Sequence, residues 1–85
     1  MEDKNIEKIL IHLLAERLQV NPTMLIRENY DIPLTGRIFG FYARDLVYLF
    51  FEIEKYFNVQ IATEDLSDGR FNTITGIIKL LKDRC

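Results

Sequence analysis

The sequence predicts a small all-α bundle with main helices at about 3–19, 43–57 and 74–83, a short helix at about 64–67, and a long ordered loop after the first helix. Three observations predict it. Apolar residues recur at steps of three and four in three separate stretches, which is the stripe of an amphipathic helix. Capping and stop residues stand at the ends of those stretches. The chain has 85 residues, 48% of them hydrophobic and including six Phe and four Tyr, which is material for one core and one domain spanning 1–85. A chain this short buries only about 60 to 65% of its unfolded surface, so its stability is expected to be modest.

In the first helix Ile6, Ile9, Leu10, Leu13, Leu14 and Leu18 form the stripe, while Lys4, Glu7, Lys8, Glu16 and Arg17 fall mainly on the other side. Asp3 or Asn5 can cap its start. Asn21-Pro22 is expected to end it, because a residue before proline is pushed out of the helical region. The connection from Pro22 to Gly40 carries Met24, Leu25, Ile26, Tyr30, Ile32, Leu34, Ile38 and Phe39. So many apolar side chains cannot all stay in water at about 25 cal/mol per Å², so this segment should lie across the bundle, with a helical turn at Thr23 to Ile26 capped by Thr23. Gly36 and Gly40 sit in no phosphate-binding pattern, since no Lys-Ser or Lys-Thr follows GRIFG and no strand precedes it; both are turn glycines.

The second helix is the central strut. Leu46, Leu49, Phe50, Ile53 and Phe57 make its core-facing stripe, and Val47, Tyr48 and Phe51 form a second set beside it. That second set is either a partner surface or core covered by the folded-back 22–40 loop. Asn58 to Ala62 is an extended link that Val59 and Ile61 can anchor. Thr63 can cap the short helix, with Glu64 and Asp65 placed well against its dipole. Asp68-Gly69 signals a turn, and Thr73 caps a last helix with Ile74, Ile77, Ile78 and Leu81 on one face.

Composition narrows the function classes. Thirteen acids outnumber eleven Lys and Arg residues, which are scattered, so there is no basic footprint for nucleic acid. Cys85 is the single cysteine and His12 the single histidine, which excludes an internal disulfide and argues against a structural zinc site. MEDKNIEKIL lacks the features of a signal peptide, and no apolar run approaches the roughly 18 residues that span a bilayer, so a soluble, cytoplasmic protein that binds no membrane is expected. An enzyme is not expected, because no nucleophile, acid and base converge. His12 lies mid-helix between Ile11 and Leu13 in a structural position; Glu52 and Glu54 are two apart on a helix and point in different directions; Glu64 and Asp65 are helix-start charge; and Ser67 is a turn or helix-end residue.

The order of elements and several segments resemble the acyl and peptidyl carrier proteins. LAERLQV is similar to the end of the first carrier helix, DLVYLFFEIEKYFNVQIATEDL to the second helix and the link after it, and FNTITGIIKLL to the last helix. The resemblance implies an acyl-carrier-like bundle over most of the chain. In that family a Gly-x-Asp-Ser-Leu motif opens the second helix, and its serine carries 4'-phosphopantetheine. Anchored on Phe57 and the DLV triplet, the match places Ala43 on the serine, Tyr42 on the preceding acid and Arg44 on the following leucine. Moving Asp45 onto the acid puts Leu46 at the serine and breaks the helix phase. A phosphodiester needs a hydroxyl oxygen, and alanine has none. Ser67 and Thr35 stand far from this position, and the Tyr42 phenol is a poor substitute. No cofactor is therefore expected.

The family also meets its partner enzymes through the second helix, which implies a partner face of Arg44, Val47, Tyr48, Phe51, Glu54 and Lys55. Val47 and Phe51 fall on the family's apolar contact positions, Tyr48 replaces an acid, Glu54 keeps one, and Lys55 reverses another. Aromatic side chains of this kind are enriched at interfaces. PLTG and DLVYLFFEIEKYF further resemble carrier-related proteins encoded beside peptide maturation systems, which lack the attachment serine; that implies a docking or accessory part in modifying or exporting a ribosomally made peptide of the bacteriocin kind. Two other functions stay open at this point. One is a true carrier bearing 4'-phosphopantetheine on an atypical residue; the other is a helical structural protein that self-associates through the same face as a weak homodimer, with Cys85 available for crosslinking.

Overall fold

The computed structural model describes residues 3–61, 64 and 70–84. Three α-helices organise them: α1 (Asp3–Glu16), α2 (Ala43–Phe57) and α3 (Ile74–Arg84), with 310 turns at Pro22–Met24, Arg27–Asn29 and Arg70–Asn72 and no strand among the described residues. Both α2 and α3 pack on α1. The core is built from Ile6, Leu10, Leu13 and Leu14 of α1, Leu49, Ile53 and Phe57 of α2, and Ile74, Ile77, Leu80 and Leu81 of α3. Those positions follow the helical period, which is why the small bundle was legible in the sequence.

The first helix is shorter than its periodicity implies. It ends at Glu16 rather than near Gln19, because Leu18 donates back to the Leu13 carbonyl and Gln19 takes a left-handed backbone with φ 57°. The Val20 amide then closes the end on Leu14, at 3.0 Å. Positive φ stops an α-helix whatever the side-chain period beyond it. Asn21 and Pro22 act differently from expected: Asn21 accepts from the Thr23 amide and hydroxyl at 3.0 and 2.9 Å, capping the turn that Pro22 begins. Thr23 is thus inside that turn and donates to its cap. Asn5 lies within α1 and does not start it.

The connection between α1 and α2 crosses the bundle and is fastened to α3. Leu34 donates its amide to the Asn72 carbonyl at 2.7 Å, and Thr35 donates its amide and its hydroxyl to Asn72 Oδ1 at 3.2 Å each. The Tyr30 carbonyl accepts from the Thr75 amide at 3.1 Å, satisfying one of the unpaired donors that open α3. Thr73 caps the same end, its Oγ1 accepting from Gly76 at 2.9 Å. Leu25, Leu34 and Phe41 from this connection are buried, while Ile26 and Ile38 stay exposed.

Two expectations for the C-terminal half need adjustment. Leu80 is fully buried on α3 where Ile78 is only half-buried, because the buried arc is centred one position further round. Phe71 precedes any helical period and is nonetheless 1% exposed, its ring 5.9 Å edge-on from Phe50. Glu64 is helical, and the rest of the expected 64–67 helix, like Thr63 and Cys85, lies outside the described residues.

Candidate functional site

The head of α2 is set by three backbone devices. Gly40 adopts φ +67° while its amide donates to the Gly36 carbonyl at 2.8 Å, a conformation that favours a residue without Cβ. Phe41 then pairs its amide with the Leu34 carbonyl at 2.9 Å, and Tyr42 enters the helix with extended backbone. Asp45 reaches back to accept from the Tyr42 amide at 2.7 Å, and its charge suits the positive end of the helix. Ala43 is the first residue of α2 and is exposed. Beside it the Arg44 guanidinium lies 5.2 Å from the centre of the exposed Tyr42 ring, a cation–π distance.

From there the outward side of α2 is one stripe. Arg44, Tyr48, Phe51 and Lys55 follow one another at steps of four, three and four, so they stack along a single line opposite Leu49, Ile53 and Phe57. Val47 borders that line. Val47 is 48%, Tyr48 44% and Phe51 61% exposed, and Arg44 and Lys55 are exposed as well. The 22–40 connection does not cover them, because its hydrogen bonds take it to Asn72, Thr75 and Glu7 instead. Phe51 also packs edge-on against Phe50 at 5.5 Å, and Phe50 in turn meets buried Phe71. The exposed Phe51 ring thus rests on one side against Phe50, which packs on the core.

Glu54 differs from the other residues expected on this face. Its Oε2 accepts from the Ile61 amide at 3.0 Å, fixing the chain after α2 beside the left-handed Asn58 that ends the helix. Half-buried and occupied, this carboxylate braces the link that follows α2. Glu52 is half-buried beside the stripe.

A second cluster, unsignalled by periodicity, joins α1 to the connection. Tyr30 donates its hydroxyl to Glu7 Oε1 at 2.9 Å, and exposed Arg27 stands 3.9 Å from the same oxygen. Burial, then the hydrogen bond and charge of Glu7, push the Tyr30 phenol from 10.0 up to about 12. A folded-state pKa raised above the unfolded one contributes stability that is complete below about pH 10 and is lost as pH rises towards 12. In a titration followed by phenolate absorbance, one of the four tyrosines is expected to ionise late, and Tyr30→Phe should remove that step. Absence of a late step in the wild-type chain, or a late step that survives in Tyr30→Phe, would contradict the placement of Tyr30 against Glu7.

The other candidate groups do not converge on α2. His12 is exposed on α1, and the Thr35 hydroxyl is engaged with Asn72. Among the described residues no group of three or more His, Cys, Asp or Glu side chains could hold a metal, and no helix is long and apolar enough to cross a membrane. No protein-family model matches the chain, and neither a curated protein nor a solved structure matches it. The site is thus defined by its own geometry: a three-helix scaffold presenting an uncovered aromatic stripe between two cations.

Proposed function

We propose that the chain is a non-enzymatic, acyl-carrier-like docking module that serves a peptide-modifying or biosynthetic enzyme and holds no phosphopantetheine arm. The observation that supports it is the pairing, on one helix, of exposed Ala43 at the head with the uncovered stripe of Val47, Tyr48 and Phe51. Ala43, which the resemblance aligns with the carrier attachment serine, offers no hydroxyl, whereas the side of the helix that carriers use for partners carries exposed Val47, Tyr48 and Phe51. Binding, and not group transfer, is what such a helix can do.

Incubation with coenzyme A and a promiscuous phosphopantetheinyl transferase, followed by intact mass, tests the proposal. The wild-type chain is expected to keep its mass, and Ala43→Ser to gain one phosphopantetheine. A gain on the wild-type chain would instead make it a true carrier modified elsewhere. No gain on Ala43→Ser would remove the carrier likeness and leave only the surface.

A further inference from the structure

We infer that the partner element seated on α2 is an acidic amphipathic helix, with its apolar residues on Val47, Tyr48 and Phe51 and its carboxylates on Arg44 and Lys55. This rests on the docking role proposed above and adds the chemistry of the occupant.

The charge of the stripe is opposite to that of the molecule. The chain carries a net charge of -2, yet both ends of the exposed line on α2 are cationic. The acids of α2 stand off that line: Asp45, Glu52 and Glu54 lie roughly a quarter turn round the helix from it and are half-buried, with the Asp45 carboxylate turned to the Tyr42 amide and the Glu54 carboxylate to the Ile61 amide, so the exposed line itself carries only the two cations. Arg44 and Lys55 are eleven residues apart on α2, so about 16 Å separates them along the axis at about 1.5 Å per residue. Three turns of a facing helix span that distance and offer their own i, i+3, i+4 ridge to Tyr48 and Phe51. A helix also presents no unpaired strand edge, so an extended peptide would find no backbone partners on this surface.

A second copy of the chain fits poorly. Antiparallel two-fold pairing of α2 on α2 would set Arg44 against Lys55 of the other copy at both ends, and like charges facing each other across an interface are disfavoured. An acidic helix places carboxylates at those ends, where they raise the encounter rate and select the partner, while the aromatic centre supplies most of the affinity.

Fluorescence anisotropy of the full chain with three labelled helical peptides tests this: the same leucine face flanked by Glu, by Gln or by Lys. The Glu peptide is expected to bind most tightly, about tenfold better than the Lys peptide at low salt, with the difference shrinking as salt rises. Arg44→Glu/Lys55→Glu should reverse the order of the Glu and Lys peptides. Phe51→Ser should abolish binding of all three, with helicity by circular dichroism unchanged because Phe51 is a surface residue. Equal binding of the three peptides that is still lost in Phe51→Ser would overturn the acidic preference and leave the docking face standing. No binding by any peptide, or binding that Phe51→Ser does not alter, would overturn the inference together with the docking face. Concentration-dependent dimerisation that Phe51→Ser removes, or tighter association with phosphatidylcholine vesicles containing phosphatidylserine than with the Glu peptide, would assign the face to a second copy or to a membrane and overturn it too.

Discussion

Phe71→Ala is expected to be the most damaging single truncation outside the helices, costing about 3–5 kcal/mol in chemical denaturation. The ring is 1% exposed and touches Phe50, so its removal opens a cavity between α2 and the turn that leads into α3. That turn also holds the long connection, through the Asn72 carbonyl and side chain. Loss of Phe71 therefore loosens two attachments at once. A domain of this size has a total stability of about 4–13 kcal/mol, so the loss takes a large share of it and the variant should melt on the order of 20 °C below wild type. A cost under about 1 kcal/mol would show that the Arg70–Asn72 turn is peripheral.

Leu34→Ala tests the connection from its other side. Leu34 lies in no helix, yet it is 0% exposed; its amide donates to Asn72 and its carbonyl accepts from Phe41. Truncation should cost about 2–5 kcal/mol, as for a buried helical leucine, and Leu34→Met, which conserves volume, less than about 1.5 kcal/mol. Phe51→Ala supplies the contrast: although larger, that ring is 61% exposed and its loss should stay near 0.5 kcal/mol. If Leu34→Ala proved as mild as Phe51→Ala, the connection would not be part of the core.

These contrasts also mark what the sequence could express. The three helices were legible because Ile6 to Leu14, Leu46 to Phe57 and Ile74 to Leu81 repeat with the helical period, and Thr73 announces its cap. The end of α1 was not, since the left-handed turn at Gln19 depends on backbone bonds to Leu13 and Leu14 that leave the side-chain pattern unchanged. Phe71 belongs to no periodic run, so nothing in its neighbours distinguished it from an exposed aromatic. The path of the 22–40 connection was equally hidden, because it is fixed by Asn72 and by the Tyr30 carbonyl, whose pairings cross more than thirty residues of chain.

The candidate site shows the same division. Val47, Tyr48 and Phe51 stood out in the sequence as surplus beside the core stripe, but periodicity does not say what covers a second face. The route of the connection decides it, leaving the stripe open. Glu54 looked like a surface acid and is bound to Ile61, a contact that only the turn after α2 creates.

Backbone-amide NMR of the wild-type chain, titrated with the Glu-flanked peptide, tests the docking role of α2 most directly. Shift changes are expected along Arg44, Val47, Tyr48, Phe51 and Lys55, with the amides of Leu34 and Asn72 unmoved. Changes centred instead on the groove lined by Leu18, Met24, Phe39 and Phe41 would contradict it.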